Sequence, residues 1–152
     1  MKTLTIHGNP SHKGFTVTGP YSAVSVFMVT GGKGYAGAGK SVELLSMNGT
    51  RLCSLPDLPG ERWFHSQNGL VTCGGGKSSS VRKSCLTFSG GRWKRTHTLG
   101  QIRLGHTGWA SPRGLLLIGG RYSDSMTGRT TTELLTENGE TTPSFNLKYR
   151  RS

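Results

Sequence analysis

The sequence predicts an all-β chain of three consecutive units, each built from about four short strands. Two observations carry that reading. Glycine supplies 24 of the 152 residues while only 32% are apolar, a balance that suits many short strands and tight turns better than long helices. Short apolar runs, VFMV, GLVTC and GLLLI, each lead into a glycine pair, at Gly31-Gly32, Gly74-Gly75 and Gly119-Gly120. The pairs recur with a period of about 45 residues, the signature of a repeat architecture.

Two further marks keep that period. Downstream of each pair comes a similar segment: Ser41-Val-Glu-Leu-Leu, Ser84-Cys-Leu-Thr-Phe and Thr131-Thr-Glu-Leu-Leu, followed by Gly49, Gly90-Gly91 and Gly139. Upstream of the second and third pairs stands Arg-x-x-His, as Arg62 with His65 and Arg103 with His106. Apolar runs bounded by glycine suit strands covered on both faces, because an exposed face would show alternation with polar residues. Within a unit, the first strand begins after Arg-x-x-His and the second ends in the glycine pair. The third is the Val-Glu-Leu-Leu type of segment. The fourth carries residues such as Arg92-Trp93-Lys94 or Arg51-Leu52-Cys53. These marks divide the chain into an N-terminal segment, 1–11, and a repeat region, 12–152, with units at about 12–58, 62–101 and 103–148.

The pattern resembles the Kelch repeat, whose units carry a double glycine after the second strand, an aromatic on the third and a Trp near the fourth. Arg62, His65, Gly74, Gly75, Phe88 and Trp93 of the middle unit match it best. Leu45 and Leu135 depart from it, standing where the family usually has an aromatic, and the outer units lack the Trp. The resemblance implies a partial β-propeller of about three four-stranded blades. It also implies a non-catalytic module that binds a protein partner through loops at one face or through the central channel. Propellers close with roughly 4–8 blades, so three leave open edges. The expectation is therefore a piece of a larger propeller, or a partial one that self-associates through those edges. Copper-radical oxidases share the fold, which keeps a Kelch-fold oxidase fragment as an alternative.

One motif points elsewhere. Residues 34–41, with Gly34, Gly39, Lys40 and Ser41, satisfy G-x-x-x-x-G-K-[ST], in which backbone N–H groups cradle phosphates, the Lys reaches them and the Ser ligates Mg²⁺. A phosphate cradle needs a helix after Lys-Ser, yet SVELLSMNG reaches Gly49 within nine residues and runs on into Leu-Pro-Asp-Leu-Pro. The repeat accounts for the same residues as a loop between second and third strands, and nucleotide binding stays as the alternative.

Net charge is +12, from 19 Lys and Arg against 7 Asp and Glu, which points to polyanions, acidic proteins or acidic membrane surfaces. Lys77, Arg82, Lys83, Arg92, Lys94 and Arg95 lie in a stretch with no acid among them, and these are the candidate contacts for such a partner. No stretch approaches the roughly 18 apolar residues of a membrane span, and the opening MKTLTIHGNP lacks the apolar core of a secretory signal. His65 and His106, at equivalent repeat positions, read as structural. His7, His12 and His97 have no metal-ligand spacing, so neither metal, cofactor nor catalytic residue is assigned. Cys73 and Cys85 fall on predicted neighbouring strands, either as a cross-strand disulfide or as two small core residues. The sequon at Asn48 falls in a turn. A bridge and a glycan would both place the protein in extracellular surroundings.

The loop reading of residues 33–40 makes a prediction: titration with ATP shows no micromolar binding that Lys40→Ala abolishes.

Overall fold

The computed structural model describes residues 3–6, 15–18, 26–34, 37–46, 50–77, 80–122 and 128–151, and these contain strands and turns but no helix. An antiparallel pair comes first, β1 (Thr3–Ile6) with β2 (Phe15–Thr18), in register from Thr3↔Thr18 to Ile6↔Phe15. Sheet I follows, with β3 (Val26–Thr30), β6 (Val42–Ser46) and β7 (Arg51–Leu55). A small hairpin of β4 (Lys33–Gly34) and β5 (Gly37–Ala38) stands between its first two strands. Sheet II holds β8 (Ser66–Asn68), β9 (Val71–Cys73), β12 (Ser84–Ser89) and β13 (Arg92–Thr98), with the hairpin β10 (Gly76–Lys77) and β11 (Ser80–Val81) between its second and third strands. Sheet III holds β14 (Thr107–Ser111), β15 (Gly114–Ile118), β16 (Arg129–Leu135) and β17 (Thr141–Arg151). In every sheet each strand pairs with its neighbours in chain order, antiparallel throughout, and no sheet closes on itself.

Sheets II and III have the four strands expected of their units, while the first unit differs. Four strands are expected over 12–58, and sheet I has three. β2, which lies where the first strand of that unit is expected, pairs with β1 from the N-terminal segment. The physical reason lies in what the first unit lacks: residues 12–25 contain no Arg-x-x-His, the turn that ties the first strand to the glycine pair in the other two units.

Short hairpins follow from turn chemistry. β12 and β13 are joined through Gly90 and Gly91, both at positive φ (60° and 75°), as a two-residue turn with the right-handed twist of its strands requires. The sheets bury apolar side chains against one another. Val42, Leu44, Leu55 and Leu58 meet Leu86 and Phe88 in one core, with Met28, Cys53 and Trp93 at its margin. Phe88 and Trp93 lie tilted at 58° with ring centroids 5.3 Å apart, and the Trp93 indole donates to Pro56 O at 2.8 Å. A second core brings Cys73, Cys85 and Leu99 against Leu117 and Leu135.

The glycine pairs are where successive units touch. A Cβ on Gly74 would lie 2.8 Å from Arg103 O and 2.7 Å from His106 Cε1. One on Gly31 would lie 2.6 Å from Arg62 O. The second glycine presses instead on its own unit's turn, Gly75 at 2.5 Å from Trp63 O and Gly120 at 2.9 Å from His106 Cβ. Gly32 meets nothing within 4 Å, consistent with a first unit that has no such turn.

Steric demand therefore separates these glycines. Gly74→Ala adds a backbone collision to the strain of left-handed backbone and costs about 3 kcal/mol or more, whereas Gly32→Ala carries the conformational term alone, about 1–2 kcal/mol. Urea unfolding of the two variants measures the difference, and equal losses would contradict it.

Candidate functional site

The repeated Arg-x-x-His turn organises each joint. Arg62 is 2% exposed, and its guanidinium donates to Gly74 O at 2.6 Å, Ser84 O at 3.0 Å and Ser84 Oγ at 2.7 Å. Arg103 repeats the arrangement, donating to Gly119 O at 2.5 Å, Thr131 O at 2.8 Å and Thr131 Oγ1 at 2.9 Å, and adds Glu133 Oε1 at 2.8 Å. Each arginine thus clips the end of its unit's second strand to the start of the third. Burial first, then the charges of Arg82 and Arg95, lowers Arg62 to about 10, which leaves it charged at neutral pH.

The histidines reach into the preceding unit. His65 Nε2 lies 2.8 Å from Thr30 Oγ1, and His106 Nε2 lies 2.7 Å from Ser66 Oγ. Main-chain bonds run alongside: Gly32 N donates to Arg62 O at 2.8 Å, and Gly75 N to Arg103 O at 3.0 Å. Both histidines belong to the scaffold at these positions.

The third residue of the turn carries the candidate site. In the last unit it is Gly105, with φ of 63°; in the middle unit it is Phe64, with φ of 50°, the sole non-glycine at positive φ among the described residues. A bulky residue there costs about 1–2 kcal/mol, so the surrounding structure must enforce it. It does so through Phe64 O, which accepts Gly105 N–H at 2.8 Å, and through the mutual backbone bonds of Trp63 with Gly76 at 2.9 and 3.1 Å. The strained residue is 47% exposed. The Arg121 guanidinium carbon lies 5.0 Å from the centre of the Phe64 ring, and Arg129 lies 5.4 Å from the ring of Tyr122, itself 60% exposed. Arg121 is held by two 2.9 Å backbone bonds with Leu104, and Arg129 by Ile102 O at 3.0 Å and Gln101 Oε1 at 2.6 Å. The result is an aromatic and cationic loop face at the joint of sheets II and III.

The residues singled out from sequence fall elsewhere. Gly34 lies in β4, and Gly39, Lys40 and Ser41 lead into β6, a strand where a phosphate cradle needs a helix. Gly39 N donates to Gly32 O at 2.7 Å, and Lys40 pairs with Asp57 at 3.4 Å. The six cations of the acid-free run divide between two places. Lys77 lies in the β10–β11 hairpin, paired with Glu61 at 2.5 Å, and Arg82 and Lys83 follow that hairpin, Lys83 donating to Gly100 O at 3.0 Å. Arg92, Lys94 and Arg95 are exposed on the outer strand β13. Cys73 and Cys85 are opposite each other on β9 and β12 and joined by a disulfide, fully buried against sheet III. Asn48 lies outside the described residues. Among the described residues no three His, Cys, Asp or Glu side chains gather as a metal site, and no helix is long and apolar enough to cross a membrane.

Sequence reasoning missed Phe64, Arg121, Tyr122 and Arg129, because it weighed runs of charge rather than positions in the repeat. The available signal was Phe64 itself, a bulky residue aligned with Gly105. Comparison with known protein families gives no match for the chain, and comparison with curated proteins gives none either.

The joints also set a pH dependence. Burial, then the Arg103 charge and His65, pushes His106 from 6.5 down to about 4, and burial followed by Arg62 lowers His65 as well. Both imidazoles are then neutral in the folded chain near pH 7. Below the ordinary value of 6.5 the unfolded chain takes up protons that the folded chain refuses until about pH 4, so stability is full above pH 6.5 and is lost between those limits. His106 alone removes about 2 kcal/mol between pH 7 and pH 5. Thermal unfolding across that range checks this, with His106→Gln expected to flatten the slope while lowering stability at pH 7.

Proposed function

We propose that this chain is a non-catalytic recognition module built on Kelch-type β-propeller repeats, and that it binds an acidic protein segment at the loop face around Phe64. Several features support the architecture. Two four-stranded antiparallel sheets run in chain order, each with a glycine pair after its second strand, and the middle unit carries Phe88 on its third strand and Trp93 on its fourth. Loops positioned by such a rigid scaffold are where binding residues concentrate.

One observation carries the binding assignment: Phe64 is kept in left-handed backbone with its ring exposed beneath Arg121, where the equivalent position of the next unit is glycine. Glycine serves the equivalent turn of the next unit without that strain. Exposed aromatics flanked by arginines suit a partner that offers carboxylates and a flat apolar or aromatic surface, since aromatic rings and Arg dominate binding hot spots. The net charge of +12 adds long-range attraction for the same kind of partner. The buried bridge between Cys73 and Cys85 supports assembly in oxidising surroundings.

Phe64→Gly separates function from stability. The fold is expected to hold, or to gain up to about 1 kcal/mol as the backbone strain is relieved. Binding of a fluorescein-labelled peptide of alternating Glu and Tyr, followed by anisotropy, is expected to weaken about tenfold in Phe64→Gly and in Arg121→Ala. Unchanged affinity in both variants would sink the assignment.

A further inference from the structure

The two internal joints follow one pattern, and the third unit displays the same pattern with its last part unmet. In each unit the first glycine donates to a Ser or Thr carbonyl at or near the start of the third strand: Gly31 to Ser41 O at 2.9 Å, Gly74 to Ser84 O at 3.2 Å and Gly119 to Thr131 O at 3.2 Å. In each unit the second glycine accepts from the chain beyond it: Gly32 from Gly39 at 2.7 Å, Gly75 from Arg82 at 2.8 Å and Gly120 from Arg129 at 2.7 Å. The second glycine also donates to the arginine carbonyl of the next unit's turn, Gly32 to Arg62 and Gly75 to Arg103. Gly120 is buried and, among the described residues, its N–H has no acceptor.

Two further features stand beside it. Thr107 follows His106 as Ser66 follows His65, and Ser66 is the hydroxyl that takes His106, whereas His65 takes Thr30 at the end of β3. Thr107 is exposed. Cross-strand register sets Trp109, Leu116 and Leu134 in one row across sheet III, on the face opposite Leu115, Leu117 and Leu135, which pack on sheet II. Within that row Leu116 and Leu134 are already buried and Trp109 is 57% exposed, the three lining a cleft of about 390 Å³.

We propose that the outer face of sheet III is a docking site for a further β-sheet unit that enters with its own Arg-x-x-His turn. The arginine carbonyl of that turn accepts the Gly120 N–H, its histidine meets the Thr107 hydroxyl, and the apolar strands behind it cover the exposed Trp109. A second copy of this chain does not fit that role. Both of its Arg-x-x-His turns already serve its own joints, and its first unit has none. The occupant is a unit distinct from those in residues 1–152, and the assignment stands apart from the loop face around Phe64.

Amide exchange on the isotope-labelled chain tests this, because each joint has its own glycine reporter. In the chain as it stands, Gly120 N–H is expected to exchange about 100-fold faster than Gly75 N–H. In a fusion that carries a second copy of residues 101–148 after Lys148, Gly120 is expected to slow to the rate of Gly75. His106→Ala made only in the added copy should return about tenfold of that protection. A titration with the synthetic peptide QIRLGHTGWASP guards against misfolding of the fusion; it should shift the Gly120 and Thr107 amide resonances, whereas the peptide with the arginine and histidine replaced by alanine should not. Gly120 already protected in the unfused monomer, or protected through dimerisation of the unfused chain, overturns the proposal. So does a folded fusion with Gly120 unchanged, or a titration in which neither amide moves.

Discussion

Burying an arginine without a matching acid is the constraint on which the middle of this molecule depends. Arg62 is almost entirely removed from water, and its hydrogen-bond partners are two carbonyls and a hydroxyl rather than a carboxylate. An uncompensated buried charge costs several kcal/mol, so those oxygens must stay where the guanidinium can reach them. One belongs to Gly74, whose left-handed backbone lets the chain turn out of β9 and still present its carbonyl. The same glycine cannot carry a side chain, because Arg103 and His106 of the next unit occupy the space. A single residue thereby answers to two arginines, its own unit's through its carbonyl and its neighbour's through its missing Cβ.

The joints share this frame but differ in what fills them. Between sheets I and II the apolar mass is large, with Phe88 and Trp93 against four aliphatic side chains. Between sheets II and III the middle sheet offers two cysteines where the other joint has Leu86 and Phe88, and leucines from both sides close over them. A small pair buries less area than an aromatic, a deficit of about 1–2 kcal/mol on ordinary transfer values. The disulfide supplies a compensating constraint of about 3 kcal/mol by closing the β10–β11 loop in the unfolded chain. Arg103 adds Glu133, so the joint with the thinner apolar filling has the fuller polar network. Glu133 also accepts Gly100 N–H at 2.7 Å, which ties the end of sheet II to the third strand of sheet III.

Much of this was legible in the sequence, because a repeat states the same physical requirement three times. The glycine pairs, the Arg-x-x-His turns and the Ser-or-Thr opening of each third strand place the strands of sheets II and III to within a few residues. Cys73 and Cys85 could be set on neighbouring strands by the same alignment, although spacing alone does not distinguish a bridge from two small core residues. Sheet I was less legible. Its first strand was inferred by analogy with units that possess the Arg-x-x-His turn, and without that turn the strand pairs backward with β1. The Arg103 to Glu133 bond was hidden for another reason: Glu133 sits in a segment that reads as an ordinary strand, 30 positions along the chain from its partner.

The candidate site escaped because composition and charge runs are blind to backbone conformation. Phe64 is unremarkable as a letter in Arg-Trp-Phe-His and conspicuous only once the turn is known to need a left-handed residue third. Its place in the structure also gives the site a property that an ordinary surface aromatic lacks. Phe64 O accepts the N–H of Gly105, its counterpart in the next unit, so one peptide group both orients the exposed ring and bonds sheet II's entry turn to sheet III's. A partner that gripped the ring would act on that bond directly, with no lever arm between ring and joint. A ligand that favours the left-handed conformation strengthens the contact between sheets, and one that pulls Phe64 toward extended backbone weakens it. Recognition at this face, as proposed, would therefore be coupled through the Phe64–Gly105 hydrogen bond to the cohesion of the scaffold that presents it.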